Sequence, residues 1–561
     1  MKRFLLSVVA TAVAVALFSC TVAPAQRAAE GCGTREAVEH LIQERIDQTG
    51  ITGLTAAVVH NGEPVVVRGF GARDGEGNPV TEDTLFQIGS VTKIITALAV
   101  MNLVEEGVID LEADVRDYMP EFRPQSLGNT KTAVTVRDLL THHSGLPSAY
   151  LKDFILDRPS ADAFMNTSRR LSREYLVWDP GTVFAYNNVG FSLLGELVAT
   201  VSGTSYGQYI TETIFEPFGM ENARVYLSDL ENPKVSGGFT DGEPEDLSLI
   251  KDVPAGSVLL SAKDMRLFLE KLLASAAGTS DALLEPETLR SMFVPQNGDN
   301  PLDDAFEIGL TFWIDSLGGT PMYGHGGTLP PFYAEMRLIP GEDLGIFLVS
   351  NDNAGDNFVL TPLIIDIANL LTTGKAGPES APETRPSTAM ERSTLDGHYV
   401  IGGLGMASLE TRKDELIASI PAIGVDTTVT FRTDNSIALG TTGLVLKPSH
   451  VEEAAFFCYM DHFYLGPVTP VSSQELSLEW QERTGRYTVE GQFFETIEFS
   501  YDEAAWAPVL NVETDTGEWM KLALTTLNDT LLQVQGIWPE RGQYYRVSCL
   551  RIAGDSAIRG H

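Results

Sequence analysis

Apolar positions change period several times along the chain. Between residues 34 and 49 they fall at Ala37, Val38, Leu41, Ile42 and Ile46, the spacing of one helical face. Two β-branched runs, 54–60 and 64–70, flank Asn61-Gly62. That pair predicts a hairpin, because a type I′ turn needs positive φ at both central positions. A long helix is expected from Ser90, with Ile94, Ile95, Leu98, Ala99, Met101 and Leu103 on a broad apolar face and Gly107 at its stop. Residues 135–220 read as mainly helical, broken by Ser144-Gly145-Leu146-Pro147 and Asp179-Pro180-Gly181, and 260–275 read as helix again. Strand character returns over 306–314, expected as one strand, and in a hairpin of 334–339 and 345–350. The run 360–371 predicts a closing helix. This order predicts an antiparallel sheet in which N- and C-terminal strands meet, with a helical subdomain between them.

After residue 372 the pattern changes. Pro378, Pro382 and Pro386 stand among small and polar residues, so 373–394 reads as a linker. From 395 to 561 short strands alternate with turns, which predicts an all-β, barrel-like region. Two arrangements compete. Leu395-Asp-Gly-His-Tyr399 resembles Arg483-Thr-Gly-Arg-Tyr487, and Cys458 and Cys549 fall late in each half, which suits two repeats over 395–478 and 479–561. A single larger lipocalin-like barrel is the other reading. Cys458–Cys549 is the disulfide to test.

The N-terminus adds a targeting expectation. Lys2 and Arg3 precede an apolar run from 4 to 18, too short to span a bilayer, so residues 1–25 read as a signal peptide. Two processing sites compete: a lipobox-like Leu17-Phe18-Ser19-Cys20, which would lipidate Cys20, and Ala23-Pro24-Ala25, which would release a soluble protein. The expected location is therefore the periplasm or a lipid anchor on a bacterial membrane. A formal charge of −37, from 39 basic and 76 acidic residues, excludes nucleic acid as the main partner. No His/Cys cluster has metal-ligand spacing, and neither metal nor cofactor is expected.

Chemistry enters at Ser90-Val-Thr-Lys93. Positions i and i+3 share a helical face, so the Lys93 amine can reach the Ser90 hydroxyl. A serine needs a base to become nucleophilic, and burial can hold off a lysine's charge. Ser248-Leu-Ile-Lys251 matches the same pattern, but Pro254 and the acidic stretch before it forbid a long helix there. Tyr186-Asn-Asn188 adds a phenol that can carry protons and an amide that can hold a carbonyl. The run is also an ordinary turn signal. His325-Gly-Gly327-Thr328 offers glycines for close approach and the Thr328 N–H as an oxyanion donor beside that of Ser90. Gly203-Thr-Ser-Tyr-Gly207 fits a nucleophile elbow, but helical spacing precedes it, so it reads as a helix–helix turn.

Taken in order, Ser90/Lys93, Tyr186/Asn188 and His325/Gly327 resemble the active-site set of class C β-lactamases and penicillin-binding proteins. The flanking stretches 86–93, 104–111, 134–147, 180–188 and 324–327 resemble the same family, over roughly residues 33–372. The resemblance implies an α/β sandwich of the β-lactamase/transpeptidase type with a cleft beside the helical subdomain. It implies acylation of Ser90, proton transfer by Lys93 and Tyr186, and substrate binding by Asn188, His325, Gly327 and Thr328. His325 stands where many members carry Lys. A neutral imidazole clamps a carboxylate more weakly, which points toward the esterase and D-aminopeptidase branches. The expected substrate is a small molecule or short peptide: a D-amino-acid peptide, a small ester or a β-lactam. A homo-oligomer through the C-terminal β region is a further expectation. The competing functional class is a catalytically weak envelope scaffold that keeps the fold.

Overall fold

The computed structural model describes residues 33–559, apart from 127–131, 148–154, 177–178, 183, 229–231, 281–283, 299–302, 304–305, 377–381 and several stretches beyond 401, the longest being 449–455, 489–495 and 535–549. The N-terminal signal and the residues Cys20, Cys32 and Cys549 lie outside the described residues.

Helix α1 (Thr34–Thr49) leads into strands β1 (Gly53–His60) and β2 (Glu63–Gly71). Asn61 and Gly62 both adopt positive φ, 54° and 71°, as their hairpin requires. Helices α2 (Thr92–Glu105), α3 (Asn188–Ser202) and α4 (Ala262–Ala276) follow. The chain then lays down β3 (Glu307–Ile308), β4 (Trp313–Leu317), β5 (Thr320–Leu329), β6 (Phe332–Ile339) and β7 (Leu344–Ser350), and ends this region with α5 (Asn357–Thr373). The sheet order is β2-β1-β7-β6-β5-β4-β3, antiparallel throughout. First and last strands thus lie side by side in its interior, with Leu54 opposite Ser350.

Alternation along β1 and β7 sorts their side chains to two faces. Leu54, Ala56, Val58, Leu344, Ile346 and Leu348 pack with α1 and α5. Ala57, Val59, Phe347 and Val349 join the larger core with α2, α3 and α4. The class is an α/β sandwich with a helical subdomain, as the family resemblance implied, built on the antiparallel sheet that the sequence pattern predicted. One element differs. The run 306–314 is not one strand but β3 and the start of β4, which pair with each other. Thr311 turns the chain between them at φ 78°, a conformation that periodicity does not report.

Within 373–394 the chain forms the strand Thr384–Arg385 and enters the helix Ala389–Leu395. Eight strands then run from Gly397–Ile401 to Phe463–Pro470, each antiparallel to its neighbour in sequence. The first also pairs with the last, which closes the ring. A separate seven-stranded meander spans Gly485 to Arg559. Cys458 lies in the ring's apolar core, where burial pushes its thiol up to about 12.

Candidate active site

Ser90 sits in a 3₁₀ turn, Gly89–Val91, rather than in the α-helix itself, which begins at Thr92. The turn still delivers the expected geometry. Lys93 Nζ donates to Ser90 Oγ at 3.0 Å and to Ala255 O at 2.9 Å. The Lys93 side chain is fully buried. Burial holds its amine well below the ordinary lysine value, and the negative charge of Asp252 pulls part of the way back.

Tyr186 is buried beside this amine, with Nζ 4.8 Å from its ring centre and 5.5 Å from that of Phe191. The other face of the Tyr186 environment is histidine. His142 stacks on Tyr186 with centroids 4.3 Å apart and planes at 28°, and the His325 ring lies 5.9 Å away. His142 is held at φ 63°, and its Nδ1 accepts from the Asn187 N–H at 3.0 Å. Burial, then the positive charge of Lys93, keeps its imidazole neutral far below the usual range. Its hydrogen therefore sits on Nε2, which has no hydrogen-bond partner among the described residues. Sequence reading quoted this histidine only as part of the 134–147 stretch. The signal that could have singled it out is the pair His142-His143 leading into Ser-Gly-Leu-Pro.

Asn187 caps α3: its side chain accepts from Gly190 N–H and donates to Leu146 O and Pro147 O, which ties the tyrosine loop to the 144–147 turn. Asn188 is the first residue of α3 and is buried beside it. The amide that holds the loop is thus Asn187, a role separate from the substrate contact expected of Asn188.

The fourth wall is β5. Gly89 has φ 50°, and a Cβ placed on it would lie 2.7 Å from Thr328 N. A Cβ on Gly327 would lie 2.0 Å from Ile88 O. These two glycines let the strand edge touch the turn that carries Ser90. On the far side, Thr328 Oγ1 donates to Asn357 Oδ1 at 2.7 Å, and Asn357 Nδ2 donates to Glu335 Oε2 at 2.9 Å. Glu335 is fully buried and paired with Arg337. His325 is buried with Nδ1 against Gly326 O, an acceptor only, so Nδ1 carries the hydrogen.

The decoys are accounted for by packing. Ser248 Oγ donates to Pro330 O, and neither Ser248 nor Lys251 lies in a helix. Gly203 ends α3 at φ 72°, and Ser205 Oγ caps the next helix, Tyr206–Ile210.

A serine in contact with a buried amine, a phenol packed on that amine and a strand edge against the serine turn define the scaffold of a serine β-lactamase or penicillin-binding protein. The chain belongs to the Beta-lactamase family, whose family model matches residues 38–369. It is 27% identical over 356 residues to Beta-lactamase-like protein 4 of Dictyostelium discoideum, covering 59% of this chain and 62% of that one. It is 32% identical over 227 residues to Esterase EstB of Burkholderia gladioli, covering 37% and 55%. It is 26% identical over 378 residues to Penicillin-binding protein 4 of Amycolatopsis lactamdurans, covering 64% and 96%. The chain spans about three fifths of the length of the Dictyostelium relatives it matches. Among solved structures, the octameric penicillin-binding protein homologue from Pyrococcus abyssi has the same fold, with TM-score 0.54, 23% identity and coverage of 86% of this chain and 99% of that one. SurE with D-Leu gives TM-score 0.57 at 22% identity, covering 77% and 99%.

Proposed function

We propose that the protein is a serine hydrolase that forms an acyl-enzyme on Ser90 from an ester or amide. The observation that carries this reading is the wholly buried Lys93 amine, 3.0 Å from Ser90 Oγ and held at low basicity by its surroundings. In its neutral form that amine has a lone pair for the Ser90 proton. Ser90 Oγ then bonds to the substrate carbonyl carbon, and the carbonyl oxygen takes the negative charge toward the N–H groups of Ser90 and Thr328. Collapse expels the alcohol or amine, which takes its proton from the Lys93–Tyr186 pair. Water then attacks the acyl carbon and returns Ser90 to its hydroxyl form. Asn188 and His325 face the acyl and leaving groups.

The substrate class is a small ester, a D-amino-acid peptide or a β-lactam, with neutral esters favoured. An imidazole at 325 is a weaker partner for a substrate carboxylate than a permanent ammonium. The Esterase EstB relative supports that preference. The signal sequence supports export, with Cys20 lipidation or cleavage after Ala25 distinguished by the intact mass of the mature protein. The octameric neighbour supports self-association, for which the C-terminal β region is our assigned surface.

The test pairs a fluorescent fluorophosphonate with a fluorescent penicillin. Ser90 is expected to label with the former, and Ser90→Ala to lose all labelling. Equal labelling of that variant overturns the assignment. His325→Lys is expected to raise activity on carboxylate-bearing substrates relative to neutral esters, and an unchanged ratio overturns the clamp.

A further inference from the structure

One fully buried acid beside the base has no part in the steps above. Asp252 stands immediately before the short Val253–Gly256 turn. Ser192 of α3 donates to its Oδ1 at 2.7 Å. Its Oδ2 is equally buried and has no hydrogen-bond partner among the described residues. The charged groups that face it are Lys93 from α2, Arg170 from the helix Thr167–Leu171, and Lys251 from its own segment.

The turn that Asp252 heads is fastened to α2 at three points. Ala255 O accepts from Lys93 Nζ, Pro254 O accepts from Thr96 Oγ1 at 2.6 Å, and Val258 N–H donates to Thr92 Oγ1 at 3.2 Å. Gly195 lets α3 close on the same turn, since a Cβ there would lie 2.2 Å from Pro254 Cγ. Carboxylate, carbonyl and amine are therefore parts of one packed unit.

A buried carboxylate with one hydrogen bond is a costly element, because its solvation is lost and only partly replaced. Burial pushes Asp252 above the ordinary carboxylate range, while the Ser192 hydrogen bond and then Lys93 draw it back. For Lys93 the two influences are opposed: burial lowers its basicity and the Asp252 charge raises it. Without that charge, burial alone would leave a poorer base, and proton transfer weakens as the base weakens.

We propose that Asp252 is a positioning residue for Lys93: its carboxylate is the buried counter-charge of that amine, and the turn it heads aims the amine at Ser90 through Ala255 O. This rests on Ser90 and Lys93 being nucleophile and base.

The experiment is the rate of fluorophosphonate labelling of the full chain against pH. Tyr186 and His142 also border Lys93, with His325 behind them, and all three are left unchanged in every variant. In Asp252→Asn the acid limb should move down by roughly one pH unit and the plateau fall about tenfold. Asp252→Glu should return the limb to its original position. A folded Asp252→Asn protein with an unmoved or raised limb overturns the proposal. Should Asp252→Asn not fold, Ser192→Ala decides: loss of the hydrogen bond favours the neutral acid, so the limb should move the same way by less, and an unmoved limb overturns the proposal. A wild-type protein that is not labelled at any pH overturns the Ser90 assignment and this inference together, whereas a labelled wild type with immovable limbs overturns this inference alone.

Discussion

The two halves of the molecule bury different things. The region ending at α5 encloses the charged side chains of Lys93, Asp252, Glu335, Arg337, Asp352 and Asp356. The closed ring beyond residue 395 encloses Leu409, Leu416, Ile420, Phe431 and Leu446, and among the described residues no charged side chain is buried there. Apolar burial stabilises at about 25 cal/mol per Å² and makes no demands on orientation. Burying charge costs several kcal/mol unless each group is met by partners. The first region accepts that cost beside Ser90 and behind β5, where position and basicity decide chemistry. The ring has no such groups to place, so its core is bought by area alone.

This contrast predicts that substitutions will separate rate from stability. The largest effect on rate belongs to Lys93→Met. Wild-type labelling of Ser90 should rise with pH as the Lys93 ammonium loses its proton, through a midpoint below the ordinary lysine value, because only the neutral amine can accept a proton. Lys93→Met should lower the rate by roughly 10³-fold and abolish that limb. A limb that survives in the variant breaks the assignment of the base.

Gly327→Ala comes next. Its new methyl would collide with Ile88 O, so β5 must draw away from the Ser90 turn. The expected loss is about 10²-fold in kcat/KM, comparable to the loss of one oxyanion donor. A rise in KM alone, with kcat unaltered, would show that the strand edge does not act on the transition state. The smallest effect on rate is expected at Ile420→Ala, in the ring core. It should destabilise the ring by about 2–4 kcal/mol in denaturant unfolding while labelling of Ser90 stays within about twofold. A large rate loss there would erase the distinction between the two halves.

Sequence patterning reached most of the first half because its signals are local. The period of α1, the Asn61-Gly62 turn and the i, i+3 relation of Ser90 and Lys93 each span only a few consecutive residues. The break at Thr311 escaped because a single positive-φ residue leaves no periodic trace. His142 and Asp252 escaped for a different reason: their importance lies in what they touch across the fold. Nothing in the neighbourhood of residue 252 in sequence announces Ser192 or Lys93. Ring closure is hidden in the same way, since the pairing of Gly397–Ile401 with Phe463–Pro470 is a relation between distant strands that each look alike. Fold class was legible, as was the grouping of the Ser90/Lys93, Tyr186 and His325/Gly327 motifs in one place. The buried acid, the stacked imidazole and the capping role of Asn187 required coordinates.

The meeting of β1 with β7 has a consequence for biogenesis. The hairpin that opens the sheet is made early, yet its neighbour at Ser350 arrives roughly 300 residues later. Until then, Leu54, Ala56 and Val58 have no strand beside them on that edge. Chain shortened anywhere before residue 350 would lack an interior strand and not a margin, so nascent or truncated forms of this protein should be recognisable by exposed apolar strands rather than by partial activity.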